Sequence, residues 1–488
     1  MNDPSPVIAI AIPAVGAVLT LLFRRFPNAR EILGLGVAGA LFAQVIRILL
    51  ALQNDLAPHY TLYEMVPGLP LTFHVEPLGM TYALIASGLW IATTLYAIGY
   101  VRGNHEEHQT RFFAFFALAL AASMGIAFAG DMFTLFVFYE LLTLTTFPLV
   151  THHGTEAAKR GGRIYLGVLV VTSVGLLLFG ILWTWTITGT LEFRPGGVFA
   201  EAIRTGAVTA PTLGVIFFLF IYGTGKAALM PAHRWLPAAM VAPTPVSALL
   251  HAVAVVKAGV FTVTKVIVYL FGPQTLLEQG QGRWLPFAAG ATIIIASVIA
   301  LSQDNLKRRL AYSTISQLSY IILGAALLVP ISIRAAAVHI AAHAFGKISL
   351  FFAAGSIYTA AHKTEISQLD GIGLRMPITM GAFAIGTLSM IGLPPTAGFV
   401  SKWLLIQGAW ESQHIFAAAV IFASSLLNAA YFLPIVYRAF FRSPPADDAH
   451  HGEAPWPILV ALSITAASAV ALFFWPDLFL DLANQLPS

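Results

Sequence analysis

The residues of this 488-residue chain whose types and spacing could do chemistry are ionisable groups lodged inside apolar runs. Glu140 stands in Phe-Val-Phe-Tyr-Glu-Leu-Leu, and Lys226 in an apolar run ahead of Pro231 and Pro237. His251 and Lys257 lie in the run that opens at Pro243-Thr244-Pro245. His339, His343 and Lys347 are spaced i, i+4, i+8, which makes one stripe on a helix otherwise built of Ala, Ile, Leu and Phe. Lys402 ends the row, in Ala-Gly-Phe-Val-Ser-Lys-Trp. A charge at the centre of a bilayer costs about 2.5–3.5 kcal/mol on insertion scales, so each of these groups needs a reason to be there. The chemistry they share is the uptake and release of a proton.

Glu140 is expected to partner Lys226. Together, each keeps the other charged; parted, each loses that support in a medium that disfavours charge. Such a pair is a switch. The stripe of His339, His343 and Lys347 reads as a relay, and His251, an imidazole, as a bridge between titrating groups. The bland readings are a packing acid satisfied by Thr143 or Thr145, and hydrogen-bonded core histidines; three groups in register weigh against the latter. Zinc at His339 and His343 suits the spacing, but Lys347 next along would repel the cation and no third ligand is evident, so no metal is expected. Lys265 shares a face with Lys257 but lies nearer the end of its run; it is expected to snorkel and is left out of the set.

Other motifs carry nothing. His105-Glu106-Glu107-His108 has the wrong spacing for a zincin helix and falls in a loop, as do His152-His153 and His450-His451, which read as solvated surface. Gly371-Ile372-Gly373 has no strand–helix context for a dinucleotide, and no Walker motif is present.

These groups must be held by membrane-spanning helices. The chain is 58% hydrophobic and 10% charged, with a mean hydropathy of +0.80, against about 25% charged for soluble domains. The fold class is therefore an all-α polytopic membrane protein. Apolar runs of about 20 residues fall near 7–23, 31–53, 76–100, 111–129, 131–151, 162–189, 212–240, 244–272, 284–301, 305–328, 333–361, 377–410, 414–440 and 455–475, which predicts about 14 helices. The fourth and fifth are divided only by Gly130-Asp131. The seventh is expected to break at Pro231, and the twelfth at Gly392-Leu393-Pro394-Pro395. Breaks five helices apart suggest two inverted five-helix repeats, 111–272 and 284–440, after three N-terminal helices in 1–110 and before a last helix at 455–475.

Alternate loops hold unequal numbers of basic residues. One set carries fifteen: Arg24, Arg25, Arg30, Arg102, Arg111, Lys159, Arg160, Arg163, Lys307, Arg308, Arg309, Lys363, Arg375, Arg438 and Arg442. The other carries four: Arg194, Arg204, Arg283 and Arg334. The positive-inside rule then puts both termini on the outer side of a cell membrane. The net charge of +4 does not argue for nucleic acid, because the basic residues sit in these short loops. The absence of cysteine excludes cysteine-ligated iron–sulfur clusters and disulfides here, so any electron transfer belongs to another subunit and no cofactor is expected. The N-terminus, Met-Asn-Asp-Pro-Ser-Pro, lacks the positive region of a signal peptide, and the chain is expected to be mature as written.

The motifs together identify a resemblance. M-P-A-H-R-W-L-P and A-P-T-P-V-S-A-L-L-H-A after Lys226, K-R-R-L-A-Y-S-T-I-S-Q-L-S-Y (307–320), H-A-F-G-K (343–347) and G-L-P-P-T-A-G-F-V-S-K-W (392–403) closely resemble the antiporter-like subunits. These are the proton-pumping membrane subunits of respiratory complex I and of membrane-bound hydrogenases, and the large subunits of Mrp-type Na⁺/H⁺ antiporters. The shorter members, the D-type of the Mrp antiporters and the M-type of complex I, are the nearer in length. The resemblance implies 14 helices, two inverted repeats and a hydrophilic axis parallel to the membrane. It implies a fifth-helix Glu and seventh-helix Lys at Glu140 and Lys226, eighth-helix groups at His251 and Lys257, eleventh-helix groups at His343 and Lys347, and the twelfth-helix Lys at Lys402. The chain departs from the family at Ala238, where W-L-P-D has its acid, and at Ala342 and Gly346; an acid sometimes found in the sixth helix is missing. These departures touch the connecting network rather than the main charges.

The expected function is proton translocation within a multisubunit complex, whose partners are other membrane subunits and whose ion is H⁺, with Na⁺ as the alternative coupling ion. A dedicated Na⁺ site needs clustered oxygens, and the one strongly placed intramembrane carboxylate is Glu140. The rival reading is a membrane component of a two-component ion or inorganic-carbon uptake system. A flux-free scaffold gains nothing from so many buried charges. No redox or hydrolytic centre is expected in this chain.

Overall fold

The computed structural model describes residues 3–54, 56–444 and 451–487; the surface reading of His450 lies outside them. In chain order the principal elements are α1 (Ser5–Leu22), α2 (Pro27–Gln53), β1 (His59–Val66), β2 (Leu69–His74), α3 (Pro77–Gly103), α4 (Gln109–Ala127) and α5 (Met132–Val150). Then come α6 (Glu156–Thr188), α7 (Ala210–Gly223), α8 (Thr244–Phe271), α9 (Leu285–Ser302), α10 (Leu306–Ala326) and α11 (Pro330–Ala361). The chain closes with α12 (Pro377–Ile391), α13 (Ala397–Glu411), α14 (Ile415–Phe441), α15 (Trp456–Phe474) and the short α16 (Asp477–Asn484). Among the described residues, 11 helices are long and apolar enough to cross a membrane. The other three expected spans have visible reasons for falling short. The 212–240 run keeps helix only to Gly223, the 377–410 run divides into α12 and α13, and α10 carries Lys307, Arg308, Arg309 and a row of Ser, Thr and Gln.

Local chemistry sets the boundaries. The α4–α5 boundary is sharp: Asp131 caps α5, its carboxylate accepting from Thr134 N at 2.7 Å and Thr134 Oγ1 at 2.8 Å. Glu76 caps α3 through Leu78 N and Gly79 N, both at 2.7 Å. The first break does not fall at Pro231. Helix α7 stops at Gly223, and Lys226 lies in a single 3₁₀ turn, Gly225–Ala227, ended by Ala228 at φ 55°. Lys226 therefore sits inside the break rather than before it. The second break is where it was expected, Gly392 taking φ 88° after Ile391. Helix α8 is continuous but loosens into π turns at Leu249–Val253 and Val266–Phe271, a distortion that favours functional positions.

The antiparallel hairpin β1–β2 was not foreseen. It covers one end of the bundle, where Gly130 N donates to Thr72 O at 2.8 Å and His74 N to Phe128 O at 2.8 Å. Asp3 N also bonds His59 O there, at 2.9 Å. At the opposite end the short loops are tied by the basic residues: Arg102 to Glu31, Arg111 to His152 O, Lys307 to Ala242 O and Arg438 to Asp370.

Burial is uneven in a way that matters. The most apolar window of α2 is 28% buried, whereas those of α8 and α11 are 100% and 94% buried. Exposed apolar side chains such as Leu22, Ile32, Val171 and Phe422 lie on the outer helices. The helices furthest from lipid are the two that carry most of the ionisable groups.

Candidate functional site

Lys226 opens the row, and its turn is held from three sides. Its backbone N–H donates to Tyr139 Oη at 3.0 Å, and Trp235 Nε1 donates to Gly225 O at 2.9 Å. On the α8 side Gly259 lies directly on the Lys226–Ala227 peptide, where any side chain would collide. Lys226 Nζ donates to Tyr139 O at 2.8 Å and to Thr143 Oγ1 at 2.5 Å, and stands 3.2 Å from the centre of the Tyr139 ring. Two oxygens and a π face thus receive the amine. Glu140 is the next residue of α5 and is close enough for its charge to act on Lys226. No ion pair joins the two among the described residues, and Glu140 Oε1 is buried without a hydrogen-bond partner.

Helix α8 stands between this pair and the rest. Gly259 and Lys257 are two residues apart, roughly 200° around a helix. The Lys226 turn and the partner of Lys257 therefore lie on opposite sides of α8. That partner is His343: Lys257 Nζ hydrogen-bonds His343 Nδ1, which joins α8 to α11. His251 sits in the first π turn with its ring 4.8 Å from that of Phe351; neither ring nitrogen has a partner. Lys347 and Lys307 are the charged groups within its electrostatic reach.

Along α11 the stripe is formed as spaced. The His343 and His339 rings stack at 6.2 Å between centroids. His339 is engaged on both nitrogens, by Ser401 Oγ at 2.8 Å and Gln317 Oε1 at 3.1 Å. Lys347 Nζ donates to Ser313 Oγ at 2.8 Å, and the Tyr431 hydroxyl lies 3.2 Å from the same oxygen while bonding Asn428. Both branches end at one carbonyl, Met390 O, which accepts from Gln317 Nε2 at 3.5 Å and Asn428 Nδ2 at 3.2 Å. Lys402 Nζ donates there too, at 2.8 Å, and to Ile391 O at 3.0 Å. These carbonyls are the unpaired C-terminal end of α12, a negative pole created by the break itself.

Seven of the eight expected residues are buried and Glu140 is half-buried; Lys226 and Glu140 lie on one side of α8 and the other six on or across it. Sequence reasoning missed the neutral members. Tyr139, Ser313, Gln317, Ser401, Asn428 and Tyr431 are hydrogen-bonding side chains in apolar helices. The polar run of α10, Ser-Thr-Ile-Ser-Gln-Leu-Ser, was the signal for two of them. Lys265 does not snorkel. It is fully buried, pairs with Glu76 at 3.1 Å and donates to Ala129 O at 2.8 Å; the hairpin closes the end towards which it would have reached. His152 is also not solvated: it is buried, and Glu106 lies 3.8 Å from it and 3.2 Å from His153.

Comparison with known proteins agrees with this architecture. A family model described as "NADH:quinone oxidoreductase/Mrp antiporter, TM" matches residues 129–428. NADH-quinone oxidoreductase subunit N of Desulforudis audaxviator is 31% identical over 463 residues, covering 94% of this chain and 90% of the relative. A probable K⁺/H⁺ antiporter A/B subunit of Rhizobium meliloti is 30% identical over 90% of this chain but only 44% of its own length. The chain likewise spans about half of the chloroplast NAD(P)H-quinone oxidoreductase subunit 5 relatives that it matches, such as that of Lemna minor. Among solved structures, a chain of the Mrp complex from Dietzia sp. DQ12-45-1b superposes with a TM-score of 0.86 at 21% identity, covering 99% of this chain and 97% of that one. With a family match over more than half its length and a full-length relative above 30% identity, the chain belongs to the NADH:quinone oxidoreductase/Mrp antiporter transmembrane family.

Proposed function

We propose that this chain is the proton-translocating, antiporter-like membrane subunit of a multisubunit assembly. Protons move along the row Glu140, Lys226, His251, Lys257, His343, His339, Lys347 and Lys402. The observation that carries this reading is the run of side-chain contacts from Lys257 through His343 and His339 to Gln317, Met390 O and Lys402, buried throughout. Glu140 and Lys226 are the switch at its head, here with the lysine held by Tyr139 and Thr143 and the carboxylate oxygen free. When Lys226 swings to Glu140, its hydrogen bonds to α5 are lost and charge is drawn from the α8 side of the row. Unpartnered polar atoms at His251, His343 Nε2 and Glu140 Oε1 are the positions at which water would bridge successive groups.

In this reading the chain makes 14 passes, as two inverted five-helix halves (111–272 and 284–440) with a broken helix and a lysine in each. The hairpin face is the outer one, and the fifteen basic residues lie inside. The partners are the other membrane subunits of an Mrp-type or complex I-like assembly. Proteoliposomes of that assembly test the function. Lys226→Ala and Glu140→Ala are expected to abolish flux driven by a pH gradient without loss of assembly; wild-type flux in both would refute it.

A further inference from the structure

A buried charge pair at α8 lies outside the row. Lys265, two turns beyond Lys257 on α8, meets Glu76 at the start of α3, at 3.1 Å. Its Nζ also faces the Phe193 ring at 4.5 Å and the Phe261 ring at 5.3 Å. Lys265, Glu76 and His74 line a cavity of about 280 Å³ together with Tyr269 and Phe193. A second cavity of about 500 Å³ under the hairpin shares His74 with it, and adds His59, Asp131 and Glu192. A staple needs no cavity, and a cation site would not be built around a lysine.

We propose that Glu76, Lys265 and His74 form a second proton site, a half-channel through which the row exchanges protons with the hairpin face. This rests on the proton-conducting reading of the row. Lys265 and Lys257 share a face of α8, about 12 Å apart at 1.5 Å per residue, so one helix serves both sites. The charged and titratable groups facing Lys265 are Glu76 on α3, Asp131 at the cap of α5, His74 on β2 and Tyr269 on α8 itself. Beyond them, His59 and Glu192 face His74, and the nearby Arg194 is held on Gly197 O at 3.0 Å. Desolvation first, and Lys265 second, hold His74 below the ordinary histidine range, so this residue, exposed at the end of β2, is neutral at rest and holds a proton only in passing. Glu76, held by two backbone N–H groups of α3, is the counter-charge of Lys265, and a proton leaving Lys265 passes by way of His74 to solvent in the larger cavity.

The chain has no cysteine, so Lys265→Cys in the assembled complex can be probed with a membrane-impermeant, charged methanethiosulfonate, read on this chain alone. Labelling is expected from the hairpin side and not from the other. Glu76→Gln and Lys265→Gln are expected to lower flux about tenfold or more and to remove its dependence on hairpin-side pH, with Lys265→Arg restoring part of both. Wild-type flux in both Gln variants, while Lys226→Ala is dead, would overturn this site and leave the row intact. A flux loss that keeps the hairpin-side pH dependence would reduce the pair to a structural staple and also overturn it. Flux surviving in Lys226→Ala would sink the row itself.

Discussion

Gly259 decides whether Lys226 can be where it is. A Cβ built on Gly259 lies 2.6 Å from Lys226 O and 2.2 Å from both Lys226 C and Ala227 N, all atoms of one peptide. Ordinary contacts of a carbon with such atoms are about 3.3 Å or longer, so the 2.2 Å contacts require Gly259→Ala to displace the Lys226 turn by about 1 Å or more. The obstacle is backbone on both sides, so no rotamer relieves it. Overpacking of this kind costs about 1–3 kcal/mol, which an assembled helical bundle survives. The lysine's contacts do not. Hydrogen bonds of 2.8 Å and 2.5 Å to Tyr139 O and Thr143 Oγ1 cannot both absorb that shift, and misplacement near 1 Å in a reacting group costs about 100-fold. The assay is dye-reported proton flux in proteoliposomes, with co-purification of partner subunits as the check on assembly. Gly381→Ala is the control, because nothing lies within 4 Å of its Cβ, and it should behave as wild type. A Gly259→Ala protein that assembles and pumps normally would refute the claim that α8 positions Lys226.

Two further outcomes are expected. Replacing His251 by Leu breaks no side-chain hydrogen bond to protein, so assembly and thermal stability should hold while flux is lost; normal flux would remove His251 from the row. At the end of the bundle opposite the hairpin, hydrogen bonding to Glu106 raises His153, whereas burial pushes the neighbouring His152 down to about 4. A raised histidine contributes stability that is complete below its unfolded value, about 6.5, and lost as pH rises through the folded value. The melting temperature of wild type should therefore exceed that of Glu106→Gln near pH 6, with the gap closing by pH 9; a gap that widens with pH would contradict the assignment.

How much of this was legible beforehand differs residue by residue. The charged members were visible because an ionisable group in an apolar run stands out against its neighbours, and the i, i+4, i+8 spacing alone put His339, His343 and Lys347 on one stripe. Gln317, Ser313 and Asn428 were not, because serine, asparagine and glutamine in a membrane helix are as common in packing as in relays. Lys265 was misjudged because its depth in the run was read without knowing that residues 59–74 fold back over that end. The first break was misplaced at Pro231 because proline is the loudest helix breaker in sequence, while the actual break rests on two glycines and their close neighbours.

Composition and periodicity by themselves determined a helical membrane protein, the titratable groups of the row and the unequal basic loops. These follow from the cost of charge and unpaired backbone in hydrocarbon, which acts on every residue regardless of its partners. Only the tertiary structure decided which groups touch. It set Lys226 on Tyr139 and Thr143 rather than Glu140, joined Lys257 to His343, and gathered Lys402, Gln317 and Asn428 on one carbonyl. Those choices depend on helix rotation and on sub-ångström fit at positions such as Gly259, which are properties of packing between distant segments and not of any one of them.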